Sequence, residues 1–338
     1  MLTCQIKKPY LLLLGDVENI NNAKTAFGLR DWAPEACLGQ LRFDDCAADL
    51  GLRDMSPLQA VQAGAKTLVI GIAPPGGQLP SSWHPVLRDS LSVGLDIASG
   101  LHQRLTDIPE LVRCAQEFGR QLHDVRHQRA KPSIGTGRRR TGRRLLTVGT
   151  DCALGKKYTA LAIAKAMASK GFAADFRATG QTGILISGCG IAVDAVAADF
   201  IAGAAEELSP ENSKDHWDVV EGQGSLFHPA YAGVTLGLVH GTQPDALVLC
   251  HDPTRKVLSG FPHVPVVSLD QAISVYEAAA RLTNPGARFV GVSLNTSAMN
   301  DAEAGEVMKQ TSLWLRLPCV DPMRTGVDQI VARLESFT

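Results

Sequence analysis

The sequence predicts an α/β protein in which an N-terminal Rossmann-like parallel-sheet domain precedes a C-terminal, P-loop NTPase-like doubly wound domain. Strand-length apolar runs alternate with helical patterns along the chain, which is typical of parallel sheets covered by helices. A glycine-rich segment containing lysine lies between a predicted strand and a predicted helix at residues 149–159, the context in which phosphate-binding loops occur. The chain has 338 residues, and about 100–200 residues per domain is usual, so two domains are expected.

The N-terminal half supplies the first predicted sheet. Its predicted strands are Tyr10–Leu14, Thr67–Ile72 and Leu95–Ala98, and its predicted helices are Pro57–Gly64, Val86–Val93 and Pro109–Phe118. Asp16 directly follows the first strand, where α/β folds place groups that contact ligands. No G-x-G-x-x-G motif follows that strand, so the sequence does not support a nicotinamide cofactor.

A segment rich in glycine and arginine separates the halves, and we predict domains at residues 1–135 and 136–338. Residues 131–144 contain few apolar side chains, which is typical of a solvated linker. The alternative is that some of its arginines bind an anionic ligand or a partner subunit; these are Arg138, Arg139, Arg140, Arg143 and Arg144.

The second half again alternates strands and helices, which indicates a doubly wound sheet with one ligand crevice at its strand ends. The predicted strands are Leu145–Val148, Ala173–Arg177, Trp217–Val220, Ala246–Cys250, Val264–Ser268 and Phe289–Ser293. The predicted helices are Thr159–Ser169, Asp194–Ala205 and Gln271–Leu282.

The predicted phosphate loop and the start of its helix form the first candidate site. Glycines let the backbone turn its N–H groups toward an anion, and the following helix N-terminus adds unpaired donors. Five residues separate Gly149 from Gly155, and Lys157 follows Lys156 where a magnesium-binding hydroxyl is usual. We therefore expect phosphate binding without magnesium-dependent hydrolysis, the alternative being an ordinary glycine-rich turn. The candidate binding residues are Gly149, Thr150, Asp151, Cys152, Ala153, Leu154, Gly155, Lys156, Lys157, Tyr158 and Thr159.

A carboxylate followed by glycines ends the predicted strand 217–220 and forms the second candidate site. Glu221 precedes Gly222 and Gly224, and in a doubly wound sheet this turn lies near the phosphate loop. Glu221 could hold a cation, orient water or accept a proton, and the alternative is an exposed side chain in a simple turn. His228 is either an acid–base group or a structural histidine.

Other polar side chains at strand ends could bind a ligand. Asp194 is either the N-cap of the predicted helix 194–205 or a ligand group. Arg255 follows the predicted strand 246–250 and could bind a substrate carboxylate, or it could lie on the surface. The end of the predicted strand 173–177 and the residues after it carry hydrogen-bonding groups suited to carboxylate or phosphate oxygens. These candidates are Arg177, Thr179, Gln181 and Thr182.

Composition and charge narrow the function class. A formal net charge of −1 argues against a general nucleic-acid or membrane-surface binder. The sequence contains no run of 18 uncharged apolar residues, so we expect no membrane-spanning helix. The eight cysteines form no C-x-x-C pair, so a zinc site or a redox dithiol is not expected. We expect a cytoplasmic homo-oligomer that acts on a small molecule.

Two motifs together resemble dethiobiotin synthetases. That family has a G-T-D-x-x-x-G-K-T loop and an E-G-x-G turn after an internal strand, and this chain has Gly149-Thr150-Asp151 with Gly155-Lys156, and Glu221-Gly-Gln-Gly224. The resemblance implies an ATP- and magnesium-dependent ligase or kinase. Lys157 replaces the family's threonine, which argues against ATP-dependent ligation. A nucleotide-sensing switch without catalysis is a third possibility.

A second resemblance covers nearly the whole chain, to the two-domain family that includes the DgcN-type D-glutamate N-acetyltransferases. The matching segments are Asp96–His102, Gly149–Lys156, Arg177–Gly183 and Glu221–Leu226, the last with His228-Pro229. This resemblance implies transfer of an acetyl group from acetyl-CoA to the amine of D-glutamate. Acyl transfer needs neither ATP nor a metal, because the thioester is already activated.

That reaction assigns expected roles to the candidate residues. The enzyme must orient the amine against the thioester, remove a proton and stabilise an oxyanion. Glu221 or Asp194 could be the general base, with His228 as the alternative. Lys156 or a loop N–H could stabilise the oxyanion. The glutamate carboxylates could bind Arg177 or Arg255.

Overall fold

The computed structural model describes residues 6–72, 77–127 and 132–337. The chain forms two compact units, each built around its own parallel sheet. Unit 1 comprises Met1–Ala130 and Gly180–Ala195, and unit 2 comprises Lys131–Thr179 and Val196–Thr338. A 16-residue insertion from the C-terminal half therefore belongs to the N-terminal unit.

The strands and helices are numbered in chain order. The strands are β1 Tyr10–Gly15, β2 Cys37–Arg42, β3 Thr67–Ile70, β4 Asp96–Ser99, β5 Leu122–Asp124, β6 Arg143–Gly149, β7 Ala174–Arg177, β8 Trp217–Val220, β9 Ala246–His251, β10 Val257–Leu258, β11 Phe261–Pro265, β12 Arg288–Leu294 and β13 Cys319–Val320. The α-helices are α1 Lys24–Trp32, α2 Pro57–Gln62, α3 His84–Ser92, α4 Pro109–Glu117, α5 Lys156–Ser169, α6 Gln181–Ser187, α7 Ile201–Leu208, α8 Ala232–Thr242, α9 Leu269–Arg281, α10 Asp301–Leu315 and α11 Asp328–Leu334.

Unit 1 contains a five-stranded parallel sheet in the order β2-β1-β3-β4-β5. Every residue of β1, β3 and β4 is buried, and a strand covered on both faces reads as a continuous apolar run. Asp16, which follows β1, accepts a hydrogen bond from the indole of Trp83 at 2.9 Å. The inserted helix α6 contacts α1, and Leu185 O accepts a hydrogen bond from the hydroxyl of Tyr10 at 3.0 Å.

Unit 2 contains a six-stranded parallel sheet in the order β13-β12-β9-β6-β8-β7. Strand β6 lies between β9 and β8, so the loops that follow these three strands lie at the same sheet edge. Apolar side chains of α5, α11 and the central strands form one core, which includes Leu145, Ile163, Met167, Trp217, Val248 and Ile330. The predicted α/β fold class is confirmed.

Two predicted elements of unit 2 are wrong. The strand predicted at 264–268 is replaced by β11, which pairs only with β10 in a separate antiparallel hairpin. Pro262 and Pro265 lack the N–H groups that a central strand needs. The helix predicted from Asp194 begins instead at Ile201, after two short 3-10 turns, because the chain passes from unit 1 to unit 2 after Ala195.

The arginine-rich segment is not a simple solvated linker. Arg140 donates to the backbone carbonyls of Glu206, Ser209, Gly241 and Thr242, near the C-terminal ends of α7 and α8. Burial is the largest of the causes that lower the pKa of Arg140 to about 10. Residue Arg144 is also buried and bonds four more carbonyls and Ser209 Oγ. Arg140 therefore stabilises helix ends, and Arg144 holds the backbone of residues 140–142 against Pro210.

Candidate active site

The predicted phosphate loop connects β6 to α5 in unit 2. Gly149 is the last residue of β6, and Lys156 is the first residue of α5. Two residues between them have left-handed backbone conformations, Ala153 with φ +53° and Gly155 with φ +99°. This is the strand–loop–helix arrangement that the sequence predicts, with a sharp turn directed into the helix N-terminus.

Lys156 lies inside the loop. Its side chain is almost fully buried, and Nζ donates to Asp151 O at 2.7 Å. Burial lowers the pKa of Lys156 below its ordinary value. A Cβ at Gly149 would lie only 3.3 Å from this Nζ, so glycine leaves room for the lysine end. The ammonium group is thus held against the loop backbone, where it can meet an anion.

Asp151 directs its carboxylate into the protein. Oδ1 accepts from Cys152 N at 2.6 Å, and Oδ2 accepts from Arg255 Nη1 and Ser259 N, both at 2.8 Å. Burial opposes the charge, but the hydrogen bonds from Arg255 and the two backbone N–H groups hold the pKa of Asp151 below its ordinary value. The side chain is 0% exposed, so this carboxylate stabilises the loop from within.

The hydroxyls of the loop also point inward. Thr150 Oγ1 lies 2.9 Å from His251 Nδ1. Burial is the largest of the causes that lower the pKa of His251 to about 4, so this histidine is neutral at pH 7, and its tautomer decides whether Nδ1 accepts from Thr150 or donates to it. Thr159 Oγ1 donates to Gly155 O at 3.1 Å and pairs with Ser293 Oγ at 2.8 Å. Lys157 lies partly exposed, with Nζ 5.1 Å from the Tyr158 ring centroid.

The Glu221 turn follows β8, the strand next to β6. Glu221 is 4% exposed, and Oε2 accepts from Thr179 N at 3.0 Å. The Thr179 hydroxyl donates to Glu221 O at 2.7 Å, so one threonine fixes both the side chain and the backbone of this glutamate. Gly222 N donates to Thr147 Oγ1 at 2.9 Å, and a Cβ at Gly222 would lie 1.7 Å from Thr147 O. Only glycine fits there.

A tyrosine joins the phosphate loop to this second turn. Tyr276, on α9, is fully buried; its hydroxyl donates to Gly149 O at 2.8 Å and accepts from Leu226 N at 3.0 Å. Burial raises the pKa of Tyr276 to about 12. A Cβ at Gly222 would also lie 3.1 Å from the Lys156 side chain. The two glycine turns are therefore neighbours, as the sequence analysis expects.

Both predicted carboxylate-binding arginines are already paired. Arg177 Nε donates to Asp218 Oδ1 at 2.7 Å, and its Nη2 donates to the more exposed Asp175 at 3.1 Å. Arg255 Nη1 donates to Asp151 Oδ2 and also to Cys152 O at 2.7 Å. Arg255 is thus bound to the phosphate loop itself.

Three of the predicted residues belong to unit 1. Asp194 lies in a 3-10 turn and pairs with Arg126, so it is not the N-cap of the helix predicted at 194–205. Gln181 and Thr182 begin α6; Thr182 Oγ1 donates to Thr25 Oγ1 at 3.4 Å. Thr179, the fourth predicted binder in this stretch, belongs to unit 2 and contacts Glu221.

His228 is buried with both ring nitrogens engaged. Nε2 lies 3.2 Å from Ser259 O and donates to it, while Nδ1 accepts from Ala230 N at 3.2 Å. The ring stacks on Tyr231 with centroids 4.5 Å apart, and the edge of Phe261 packs against it at 5.0 Å. These contacts use the neutral imidazole as a structural link.

Two groups among the described residues converge closely enough for a metal ion: Asp151 with Cys152 and His228, and Asp175 with His216 and Asp218. In each group a guanidinium already bonds the carboxylates, Arg255 in the first and Arg177 in the second. A cation at either place would compete with an arginine for the charge of these carboxylates. Both groups fit ion pairs better than metal sites.

Sequence reasoning missed Tyr276, Ser259, His251 and Thr147. Tyr276 lies within a helix and has no motif of its own, and Ser259 contributes only backbone atoms. His251 and Thr147 are the last and an internal residue of buried strands. The His251-Asp-Pro-Thr-Arg255 sequence after β9 was a usable signal, since polar residues there lie at the edge that holds the phosphate loop.

Two family models match this chain, a Rossmann-like domain in its N-terminal part and a P-loop domain in its C-terminal part. Residues 133–331 match the family described as DUF1611_C, a P-loop domain of unknown function. Residues 42–128 match DUF1611_N, a Rossmann-like domain of unknown function. A crystal structure of a DUF1611 family protein from Anabaena variabilis, at 2.30 Å resolution, superposes with a TM-score of 0.87 and 33% identity, covering 98% of this chain and 100% of that one.

Two curated relatives match at 49% identity, and both are named D-glutamate N-acetyltransferase. The protein from Pseudoalteromonas sp. aligns over 330 residues, which is 98% of this chain and 99% of the relative. The protein from Tritonibacter scottomollicae aligns over 329 residues, which is 97% of this chain and 99% of the relative.

Proposed function

The chain belongs to the DUF1611 family, and we propose that it is a D-glutamate N-acetyltransferase that uses acetyl-CoA. Near full-length identity of 49% to two relatives of that name carries the proposal. The reaction converts acetyl-CoA and D-glutamate into N-acetyl-D-glutamate and free CoA. The amine nitrogen bonds to the acetyl carbonyl carbon, and the carbon–sulfur bond of the thioester breaks.

The phosphate loop is the proposed site for the cofactor's phosphates. Coenzyme A carries a pyrophosphate and a 3′-phosphate, and Lys156 with the N–H groups at the start of α5 provides matching positive charge. Lys157 stands where magnesium-dependent loops carry a hydroxyl. The first threonine hydroxyl in the helix, that of Thr159, is bonded to Gly155 O and Ser293. These features favour phosphate binding without magnesium.

Glu221 is the proposed general base. It directly follows β8, Thr179 fixes its side chain and backbone, and the next residue, Gly222, lies against the Lys156 side chain. The substrate amine arrives mostly protonated at neutral pH, so a positioned base has protons to remove. Asp194, the alternative, is ion-paired with Arg126, and His228 has both nitrogens engaged. When the carbon–sulfur bond breaks, the CoA sulfur takes up a proton.

The remaining roles follow from charge and reach. Arg177 is the proposed carboxylate binder: its partner Asp175 is 56% exposed and can give way to a substrate carboxylate. Arg255 is a weaker candidate, since its Nη1 is bonded to Asp151 and Cys152.

Two properties of the protein stay predictions from its sequence: a homo-oligomeric state and a cytoplasmic location. Among the helices of the described residues, none combines the length and apolar character required to cross a bilayer. The proposed small-molecule substrate is independent of both.

A screen of CoA release tests the function. Acetyl-CoA is incubated with the enzyme and single D- or L-amino acids, without ATP, and the released thiol is measured. The expected result is thiol release with D-glutamate and much less with L-glutamate, with N-acetyl-D-glutamate identified by mass spectrometry. Thiol release with another amine but not with D-glutamate would contradict the proposed acceptor.

A further inference from the structure

The loop conformation needs support from outside the loop. Ala153 has φ +53°, a left-handed conformation that costs energy in any residue but glycine. A row of N–H groups binds an anion best when it is already ordered, because ordering on binding reduces affinity. The atoms that hold this loop in shape are therefore candidates for a functional role.

Residues 252–265, here called the hairpin segment, supply that support. Thr254 N and Oγ1 bond Asp252 Oδ1 at 2.9 and 2.7 Å, and Arg255 N donates to Asp252 O at 3.1 Å. This turn directs Arg255 at the loop, where its Nη1 bonds both Asp151 Oδ2 and Cys152 O. One guanidinium nitrogen thus joins a side chain and a backbone carbonyl of the loop.

The tip of the hairpin segment is held on both sides of one residue. Ser259 N donates to Asp151 Oδ2 at 2.8 Å, and Ser259 O accepts from His228 Nε2 at 3.2 Å. Gly260 follows with φ +79° and completes the turn between β10 and β11. Asp151 is therefore the point where the loop, Arg255 and the hairpin tip meet.

These contacts do not resemble a ligand site. Asp151 is completely buried and both of its oxygens accept from protein donors. Nη1 of Arg255 is bonded to the loop, and the Arg255 side chain is 22% exposed. We propose that Asp151 and Arg255 are positioning residues, which tie the phosphate loop to the hairpin segment and so keep it ordered for acetyl-CoA. The inference rests on the proposed function for the identity of the ligand.

Asp151→Asn is the sharpest single change, because it keeps the shape of the side chain. Both oxygens of Asp151 accept from N–H donors. In either orientation the amide NH2 of asparagine would face such a donor, Cys152 N on one side or Ser259 N and Arg255 on the other. Arg255→Met is the second variant, and it removes the same link from the partly exposed side. Arg281→Met is the control, since Arg281 is 49% exposed and pairs with Glu277 on α9.

Two measurements decide the proposal. Calorimetry should show that Asp151→Asn and Arg255→Met each weaken acetyl-CoA binding at least about tenfold, the size expected when one charge-assisted hydrogen bond is lost. The double variant should be little worse than the worse single variant, because both changes break one link. The KM for D-glutamate should stay within about twofold in Arg255→Met, as expected when binding of that substrate is untouched. Arg281→Met should match the wild type.

Hydrogen exchange of the ligand-free enzyme is the second measurement. Amides of residues 152–158 should exchange faster in both variants and at the wild-type rate in the control. Unchanged exchange and unchanged acetyl-CoA affinity in Arg255→Met would overturn the proposal, and so would a rise confined to the KM for D-glutamate, which would make Arg255 a substrate binder. If the wild type does not bind acetyl-CoA, the proposed function fails, while the exchange data still decide whether the link orders the loop.

Discussion

The phosphate loop and the Glu221 turn are neighbours in the sheet but are stabilised in different ways. Charged groups build the loop: the Asp151 carboxylate bonds Arg255, and the Lys156 ammonium bonds Asp151 O. Neutral groups hold the turn: Thr179 bonds Glu221, and Thr147 bonds Gly222. Tyr276 contacts the loop at Gly149 and the segment that follows the turn at Leu226.

This difference separates two tasks. A loop that must hold phosphates needs an ordered array of donors, and the buried ion pair supplies order without presenting a carboxylate to the ligand. A turn that must move a proton needs a carboxylate at a fixed position, and the N–H and hydroxyl of Thr179 hold both the side chain and the backbone of Glu221. Changes in the loop should therefore alter binding, and changes in the turn should alter the rate of reaction.

The largest expected effect is on catalysis, from Glu221→Gln. Glutamine keeps the shape of the side chain and removes its basicity, and a positioned base typically contributes 10²–10⁴-fold, so kcat should fall at least about 100-fold. Acetyl-CoA affinity should change by less than about fivefold, because the turn is not part of the proposed phosphate site. Steady-state kinetics and calorimetry on the same preparation check both values.

The alternative outcomes for Glu221→Gln are informative. A kcat near that of the wild type would make Glu221 structural and Asp194 the leading base. Loss of acetyl-CoA binding would instead show that the turn shapes the phosphate loop, and the separation of tasks would be wrong.

The next effect is on binding, from Lys156→Ala. Removing this ammonium should weaken acetyl-CoA binding more than about tenfold, because a charge-assisted hydrogen bond contributes roughly 1.5–3 kcal/mol. Lys165→Ala, a change further along α5, provides the matched control. Calorimetry on both folded variants measures the effect, and wild-type affinity in Lys156→Ala would place the cofactor's phosphates elsewhere.

A smaller effect is expected from Thr179→Val, which sharpens the role of the neutral donors. Valine keeps the N–H that bonds Glu221 Oε2 and removes the hydroxyl that bonds Glu221 O. A typical neutral hydrogen bond contributes about 0.5–1.5 kcal/mol, so a drop in kcat of roughly 2- to 13-fold is expected if that energy is used to position the base. Thermal denaturation run in parallel separates loss of position from loss of folding; a lower Tm with normal kcat would mean that Thr179 serves stability alone.

The smallest effect concerns acid stability at the edge of the loop. Burial lowers the pKa of His251 from 6.5 to about 4. The unfolded chain therefore binds a proton at this residue at a higher pH than the folded protein does, and the free energy of unfolding falls as the pH drops from about 6.5 to about 4. The asparagine side chain in His251→Asn can both donate to and accept from Thr150, and the change removes the titration, so the stability of the variant should fall less steeply in that window. Urea denaturation at several pH values, with exposed His263→Asn as control, tests this; parallel curves for His251→Asn and the wild type would refute it.

The strands of the sheets could be predicted from the sequence more accurately than the side-chain contacts. Buried parallel strands such as β1 and residues 246–250 of β9 are continuous apolar runs, and the phosphate loop has glycines at its turn, so local pattern and fold agree. The β10–β11 hairpin was mistaken for a sheet strand, because residues 264–268 are apolar enough while their pairing partner depends on the tertiary fold.

The assignment of arginines shows why the roles were harder to predict. Arg140 and Arg255 lie in sequences that suit ligand binding, yet both bond protein groups in the structure. A guanidinium can bind a ligand carboxylate or a protein carboxylate with equal geometry, and only the fold decides which one is within reach. Thr179 was likewise expected to bind substrate, because it has hydrogen-bonding groups at a strand end. In the structure it contacts Glu221.

The central claim is that this phosphate loop holds acetyl-CoA for acyl transfer that needs neither ATP nor a metal ion. The most direct test measures D-glutamate-dependent CoA release without ATP, before and after excess chelator. The account predicts the same rate in both, since Lys157 replaces the magnesium-binding hydroxyl and the thioester is already activated. Complete loss of activity on chelation, restored by added magnesium, would contradict the metal-free part of the claim. No CoA release without ATP, with phosphate release once ATP and magnesium are added, would instead favour an ATP-dependent enzyme of the dethiobiotin synthetase type.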